Sequence, residues 1–229
     1  MAVGTGGVIH VNVNCTDLER SMAFYRDELG LQPLVRTTPV DPQDGAAFGL
    51  SRAKWDAWMM AGPSGFRAPV IDLLQWIDPE PAAPAEGGTG FRCLHLGSGE
   101  EAVRMITDPD GTELRLAPGS PGLLGVTIGC ADPDRSRRFY EHVVDVGGFV
   151  RLEEASGGPP KAANTVGIWR MALATDDIDA DVAWLRRTGV PCGSDPVEMD
   201  MGPGIPALRF VLFFDPDGTA LELIQRPGT

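Results

Sequence analysis

Valine alternates with asparagine from Val11 to Asn14, the two-residue period of a strand with one buried face. Val11 and Val13 then pack beneath a helix, while His10, Asn12 and Asn14 face the other way. Past Asp17 the period lengthens. Leu18, Met22, Tyr25 and Leu29 recur at helical spacing, so a helix capped by Asp17 is expected through Leu29, ended by Gly30 and Pro33. Short strands follow in WDAWMMAG and VIDLLQWI.

The same order returns later in the chain. HVNVNCTDLERSMAFY begins at His10 and GVTIGCADPDRSRRFY at Gly125, a shift of 115 positions. In the second copy Asp132 and Pro133 start a helix that runs to about Val144 and stops at Gly147–Gly148. The strand IWRMALAT leads to a further capped helix, DDIDADVAWLRRTGV. Each copy closes on DPDGT and an alternating strand, MITDPDGTELRLAP early and FFDPDGTALELIQRP late. The late one reads as a terminal hairpin of strands 207–214 and 219–225. Two modules are expected, 1–118 and 123–229, joined by APGSPG; EPAAPAEGGTG and EEASGGPPKAAN are internal connectors. The copies are unequal. Phe91 to Ala117 has no room for a full helix, and the second module lacks one or two strands between Glu154 and Ile168.

With 43% hydrophobic residues in 229, the chain can bury a sizeable core without metals or disulfides. The formal charge of -13 and the lack of a basic stripe argue against nucleic acid as a partner. No apolar run is long enough for a membrane span and the N-terminus lacks a leader pattern, so a soluble, cytoplasmic protein is expected. The four cysteines show no C-x-x-C spacing and read as buried thiols.

VIHVNVNCTDLERSMAFYRDELGLQPL, ALATDDIDADVAWLRRTGV and FFDPDGTALELIQRP together resemble the vicinal oxygen chelate superfamily, which includes glyoxalase I, extradiol dioxygenases, and bleomycin and fosfomycin resistance proteins. The resemblance covers most of the chain. It implies an α+β fold in which repeated βαβββ units form two half-open barrel modules, each barrel curling around a ligand cavity. It also implies a metal site with ligands from the opening, fourth, fifth and closing strands. His10 and Glu222 match the opening and closing places, and Asp72 falls near the fourth. Arg170 sits at the fifth, where the family pattern puts a histidine. The first module offers Arg92 there, or His95 if the register moves.

In the closing strands, Leu221 and Leu223 pack while Ala220, Glu222 and Ile224 point inward; the early copy buries Leu114 and Leu116 and aims Arg115 inward. Glu222 and Arg115 are both seven residues past the first Asp of their DPDGT. One cavity would therefore gather His10, Asp72, Arg170 and Glu222, and the other Gly125, Arg92 and Arg115, which is no ligand set. His10, Asp72 and Glu222 have the composition of a triad for Fe, Mn, Ni or Zn. Arg170 opposes a dication and offers the carboxylates a salt bridge instead, so a metal-free form is equally open. Each candidate also has a plain alternative: His10 as a core histidine, Glu222 as the ion-pair partner of Arg170, and Asp72 as a solvated strand-end residue. His142 is expected on a helix surface, and Tyr25 and Tyr140 to be structural.

Two functions follow. One is a small-molecule enzyme of lyase, isomerase or dioxygenase type, including secondary metabolism, with Glu222 and His10 catalytic and Arg170, Arg92, Asn12, Trp58 and Trp76 binding the substrate. The other is a binding protein that sequesters an aromatic antibiotic or metabolite. Either acts as a monomer or homodimer on a small molecule.

Overall fold

The computed structural model describes residues 2–4, 6–84, 87–99, 101–157 and 161–225. Parts of both connectors, at 85–86 and 158–160, and Arg226 and Pro227 of the closing motif lie outside the described residues.

The chain opens with β1 (Val8–Asn14), α1 (Leu18–Asp27), β2 (Gln32–Thr37), β3 (Gln43–Asp44), β4 (Arg52–Ala61) and β5 (Val70–Asp78). Its middle holds β6 (Gly90–Gly97), β7 (Arg104–Thr107), β8 (Glu113–Ala117), β9 (Gly122–Cys130), α2 (Pro133–His142) and β10 (Val150–Glu154). It closes with β11 (Gly167–Thr175), α3 (Ile178–Arg187), β12 (Val197–Met199), β13 (Leu208–Phe214) and β14 (Ala220–Gln225). The first and last groups are complete βαβββ units and share a nine-stranded sheet, ordered β12-β13-β14-β11-β1-β5-β4-β2 with β3 paired to β4. The two reduced units form a five-stranded sheet, β10-β9-β6-β8-β7. Among the described residues no helix lies between β6 and β7, and only β10 lies between α2 and β11. The inequality expected from the segment lengths is therefore present.

The alternation sorts the faces as expected. Val11, Val13, Leu114, Leu116, Val126, Ile128, Leu221 and Leu223 all join one apolar core, together with Tyr25, Tyr140 and Leu185 from the three helices. A second cluster fills the hollow of the larger sheet: Trp55, Trp76, Trp169, Met199, Phe210, Ala220 and Ile224.

The helices begin where a carboxylate can take their free N–H groups. Asp17 accepts from Arg20 N at 3.0 Å, Asp132 from Asp134 and Arg135 N at 3.1 and 3.0 Å, and Asp177 from Ala180 N at 3.0 Å. Two helices end one turn-fraction early, at Asp27 and His142 rather than Leu29 and Val144. The chain turns out through Gly30 at φ 69° and through Asp145 at φ 52°, not at Gly147–Gly148.

Each DPDGT turn is tied to its module's helix by the same device. Tyr25 Oη donates to Asp108 at 3.1 Å, and Tyr140 Oη to Asp215 at 2.9 Å. The other oxygen of each aspartate accepts the turn's own N–H groups: Asp110 and Thr112 at 2.9 and 2.8 Å, Asp217 and Thr219 at 2.9 and 2.7 Å. Both tyrosines are structural, as expected. The linker at 117–122 is wedged against two glycines: a Cβ on Gly62 would lie 1.8 Å from Pro121 O, and one on Gly97 2.1 Å from Ser120 O.

Candidate functional site

Strand register brings four polar side chains, three of them charged, into the hollow of the nine-stranded sheet. In the β1–β5 parallel pair, Asn12 stands beside Asp72. In the β11–β14 parallel pair, Ala172 stands beside Glu222 and Arg170 beside Ala220. The antiparallel β1–β11 pair sets His10 opposite Ala172. Ala172 thus sits between His10 and Glu222, and its single methyl leaves room for the two to meet. His10, Asp72, Arg170 and Glu222 are all at most 7% exposed.

Arg170 organises the group. Its Nε donates to Glu222 Oε2 at 2.9 Å and its Nη2 to Asp72 Oδ2 at 3.0 Å. His10 Nε2 lies 3.5 Å from Glu222 Oε2 and 3.8 Å from Asp72 Oδ2. Asn12 Nδ2 steadies Asp72 with contacts of 3.2 Å to both its side-chain and backbone oxygens. Burial pushes the Glu222 carboxyl up, but the Arg170 charge, helped by the neighbouring His10 ring, outweighs it and holds the group below its usual range. Burial likewise opposes the Arg170 charge, and Glu222 and Asp72 reverse the balance.

Three buried polar atoms in this group are left without a hydrogen-bond partner: His10 Nε2, Arg170 Nη1 and Asn12 Oδ1. Unpaired buried donors and acceptors cost about 1–3 kcal/mol each. Two of them belong to side chains lining a cavity of about 40 Å³, walled by Trp55, Trp76, Met59, Met199 and Phe210. That volume exceeds the roughly 10–15 Å³ required for one water molecule.

Beyond it lies a larger pocket of about 340 Å³, lined by Trp169, Ile168, Phe91, Leu212, Ala220 and Lys161 among others. Ala220 and Glu222 lie on one face of β14, about 7 Å apart. The two spaces therefore follow one another along the barrel. Phe48 lines both. Its ring stacks on Phe210 at 5.3 Å and meets Trp76 and Trp169 edge-on at 5.7 and 6.0 Å. It rides on a short 3-10 turn, Ala46–Phe48, bounded by Gly45 and by Gly49 at φ 70°.

The expected metal set does not fit a dication. Arg170 already donates to the Glu222 and Asp72 oxygens that would bind one, and its fixed charge would sit against the ion. Among the described residues no group of three or more His, Cys, Asp and Glu side chains is arranged to hold a metal.

Two of the residues expected to bind substrate lie outside the chamber. Arg92 is exposed at the start of β6, bonded to Gly88 O at 3.1 Å and away from the charged chamber. Trp58 packs against the helix-side core, with Arg36 6.0 Å above its ring, so it does not line the chamber. Asp72 is buried rather than solvated at a strand end. Trp76 does line the chamber, and Asn12 supports it through Asp72. Phe48, Trp169 and Phe210 also line these spaces although no sequence motif marks them, and Trp55 joins Trp76 in the chamber wall.

On the smaller sheet, the register places His95, not Arg92, beside Arg115 and opposite Gly125. His95 Nε2 pairs with Thr127 Oγ1 at 2.7 Å. Burial first, then the charges of Arg151 and Arg115, lower its pKa to about 4. His142 is exposed on α2, as expected.

A family model described as Glyoxalase/Bleomycin resistance protein/Dioxygenase superfamily matches residues 7–103 and 146–223. No curated protein sequence matches the chain. Among solved structures, glyoxalase I from Zea mays superposes with TM-score 0.67 at 17% identity, covering 96% of this chain and 92% of that one. A candidate dioxygenase from Bacillus subtilis gives 0.68 at 14%, covering 99% and 87%. The cppA protein of Streptococcus pneumoniae gives 0.58 at 11%, covering 96% and 100%. At these identities the likeness is one of fold.

Proposed function

Because the chain belongs to the Glyoxalase/Bleomycin resistance protein/Dioxygenase superfamily, we propose that it is a small-molecule enzyme whose cation is the guanidinium of Arg170 rather than a metal. The observation that carries this is the arginine bridging Glu222 and Asp72 while its remaining nitrogen, Nη1, stays unpaired, as does His10 Nε2 in the same buried cluster.

Two carboxylates and one guanidinium leave the chamber one negative charge in excess. An anionic head group would double that excess in a buried space, so the reacting group is uncharged, a carbonyl or hydroxyl oxygen. Arg170 Nη1 donates to that oxygen. His10 Nε2 takes a proton from the adjacent carbon, and the electron pair moves to the oxygen as an enolate held by Nη1. Return of the proton from His10 to another atom of the same unit completes an isomerisation. The proton only changes place, so the net charge of the chamber is constant. Glu222 and Asp72 position the guanidinium and stabilise the protonated imidazole.

The test is hydrogen–deuterium exchange at the methyl group of acetophenone in D2O, followed by NMR. Wild-type protein should accelerate exchange at least 100-fold over His10→Ala, within the range for general-base catalysis of about 10²–10⁴. Exchange at the buffer rate sinks the enzyme. If the ketone binds without exchanging, the aromatic walls serve sequestration instead, and the chain is a binding protein.

A further inference from the structure

The pocket outside Phe48 carries an unusual cation. Lys161 lines it, and it also lines an adjoining cleft of about 250 Å³ that contains Arg92. Its ammonium donates to Phe91 O at 3.1 Å, which uses one of its three N–H groups. Among the described residues, no ion pair joins Lys161 or Arg92 to a carboxylate, although the chain carries 32 acidic residues against 19 basic ones. Asp217, which lines the outer pocket, is paired with Arg135 at 2.6 Å; in the adjoining cleft Asp110 is occupied by Thr16 and Arg20, and Glu113 is exposed at the start of β8.

The lysine is also held in place. Trp169 Nε1 donates to Lys161 O at 3.3 Å, and Asn14 Nδ2 donates to Ala163 O and Thr165 O at 2.7 and 2.8 Å. Buried side chains of the barrel strands thus fix the segment that delivers the ammonium to the pocket. Burial, and then the charge of Arg92, lower the Lys161 pKa, a cost that a bound anion would relieve.

We infer that Lys161 binds an anionic group, a carboxylate or phosphate, at the outer end of a ligand whose flat apolar body fills the outer pocket and whose uncharged oxygen reaches Arg170. The pocket supplies the body's partners in Trp169, Ile168, Phe91 and Leu212. Phe48 has to turn aside for the inner end to pass, since its ring forms the wall between the two spaces. The charge balance of each space sets the ligand's polarity: the inner chamber has negative charge in excess, and the outer pocket holds Lys161 together with a carboxylate, Asp217, that is already paired with Arg135. The inference rests on the proposed function for the inner end and adds the recognition of the outer one.

The test compares 4-acetylbenzoate with its methyl ester, two probes of nearly equal shape that differ in one charge, by isothermal titration calorimetry. Wild type should bind the acid at least tenfold more tightly than the ester, with the preference shrinking as salt is raised. Lys161→Met should abolish that preference and Lys161→Arg should keep most of it. Equal affinity of wild type for the two probes overturns the inference, as does a preference that survives Lys161→Met. Arg170→Lys separates the two ends. If it weakens both probes alike while Lys161→Met leaves the acid preference intact, the inner reading stands and the outer one falls. If it changes neither probe while Lys161→Met removes the preference, the outer site stands and the inner reading falls.

Discussion

Seven residues past the first Asp of DPDGT, the nine-stranded sheet has Glu222, buried against Arg170 and close to His10. At the same place the five-stranded sheet has Arg115, half-buried beside His95. The two strands share their turn, their Tyr–Asp tie and their alternation of packed and facing residues, yet the facing residues differ in charge. What is duplicated is the mechanics of the fold. The cluster of His10, Asp72, Arg170 and Glu222 lies in one copy, walled in by the complete units, while the corresponding face of the reduced units carries Arg115, His95 and Thr127.

The sharpest way to break this comparison is to make the same change in both sheets. Arg170→Met leaves two buried carboxylates uncompensated and should cost about 3–5 kcal/mol by urea denaturation. Arg115→Met should stay within about 0.5 kcal/mol. Equal losses would mean that the two arginines have equivalent roles.

The next effect belongs to the smaller sheet. His95 has its folded pKa lowered to about 4, so between pH 6.5 and about 4 the unfolded chain binds a proton that the folded chain refuses. Its part in stability is intact above pH 6.5 and falls as the pH drops through that window, by up to about 3 kcal/mol. His95→Gln should flatten this portion of the stability–pH curve. A curve unchanged by the substitution would remove His95 as the cause.

Smaller effects test the shared mechanics. Tyr25→Phe and Tyr140→Phe each remove one hydrogen bond to a buried aspartate and should each cost about 1.5 kcal/mol, the same in both modules. Asp17→Ala and Asp132→Ala each remove a helix cap and should each cost about 1 kcal/mol. Thermal unfolding of the four variants checks the symmetry, and unequal pairs would show that the copies have diverged in mechanics as well.

Much of the fold was legible because packing enforces a period. Val11, Val13, Leu221 and Leu223 had to share a face, and the repeat of GVTIGCADPDRSRRFY on HVNVNCTDLERSMAFY marked the recurring strand and helix. The meeting of His10, Asp72, Arg170 and Glu222 was legible from strand alternation once the family resemblance set the order of strands. The register on β6 was not, since bulges near Phe91 and His95 shift the pairing and set His95, not Arg92, beside Arg115 and opposite Gly125. Trp58 was misplaced against the count of two itself, which sets Trp55, Ala57 and Met59 toward the chamber and Trp58 and Met60 on the opposite face of β4. Phe48 escaped notice because its importance comes from standing between two spaces, a property no local pattern records.

The arginine that bridges Asp72 and Glu222 has a consequence for how the protein population behaves. A metal centre divides molecules into loaded and empty forms, in proportions set by supply, competing ions and chelators. A guanidinium is translated with the chain and cannot dissociate. Every correctly folded copy carries its positive charge at once, and the chamber has a single state of occupancy by its own cation.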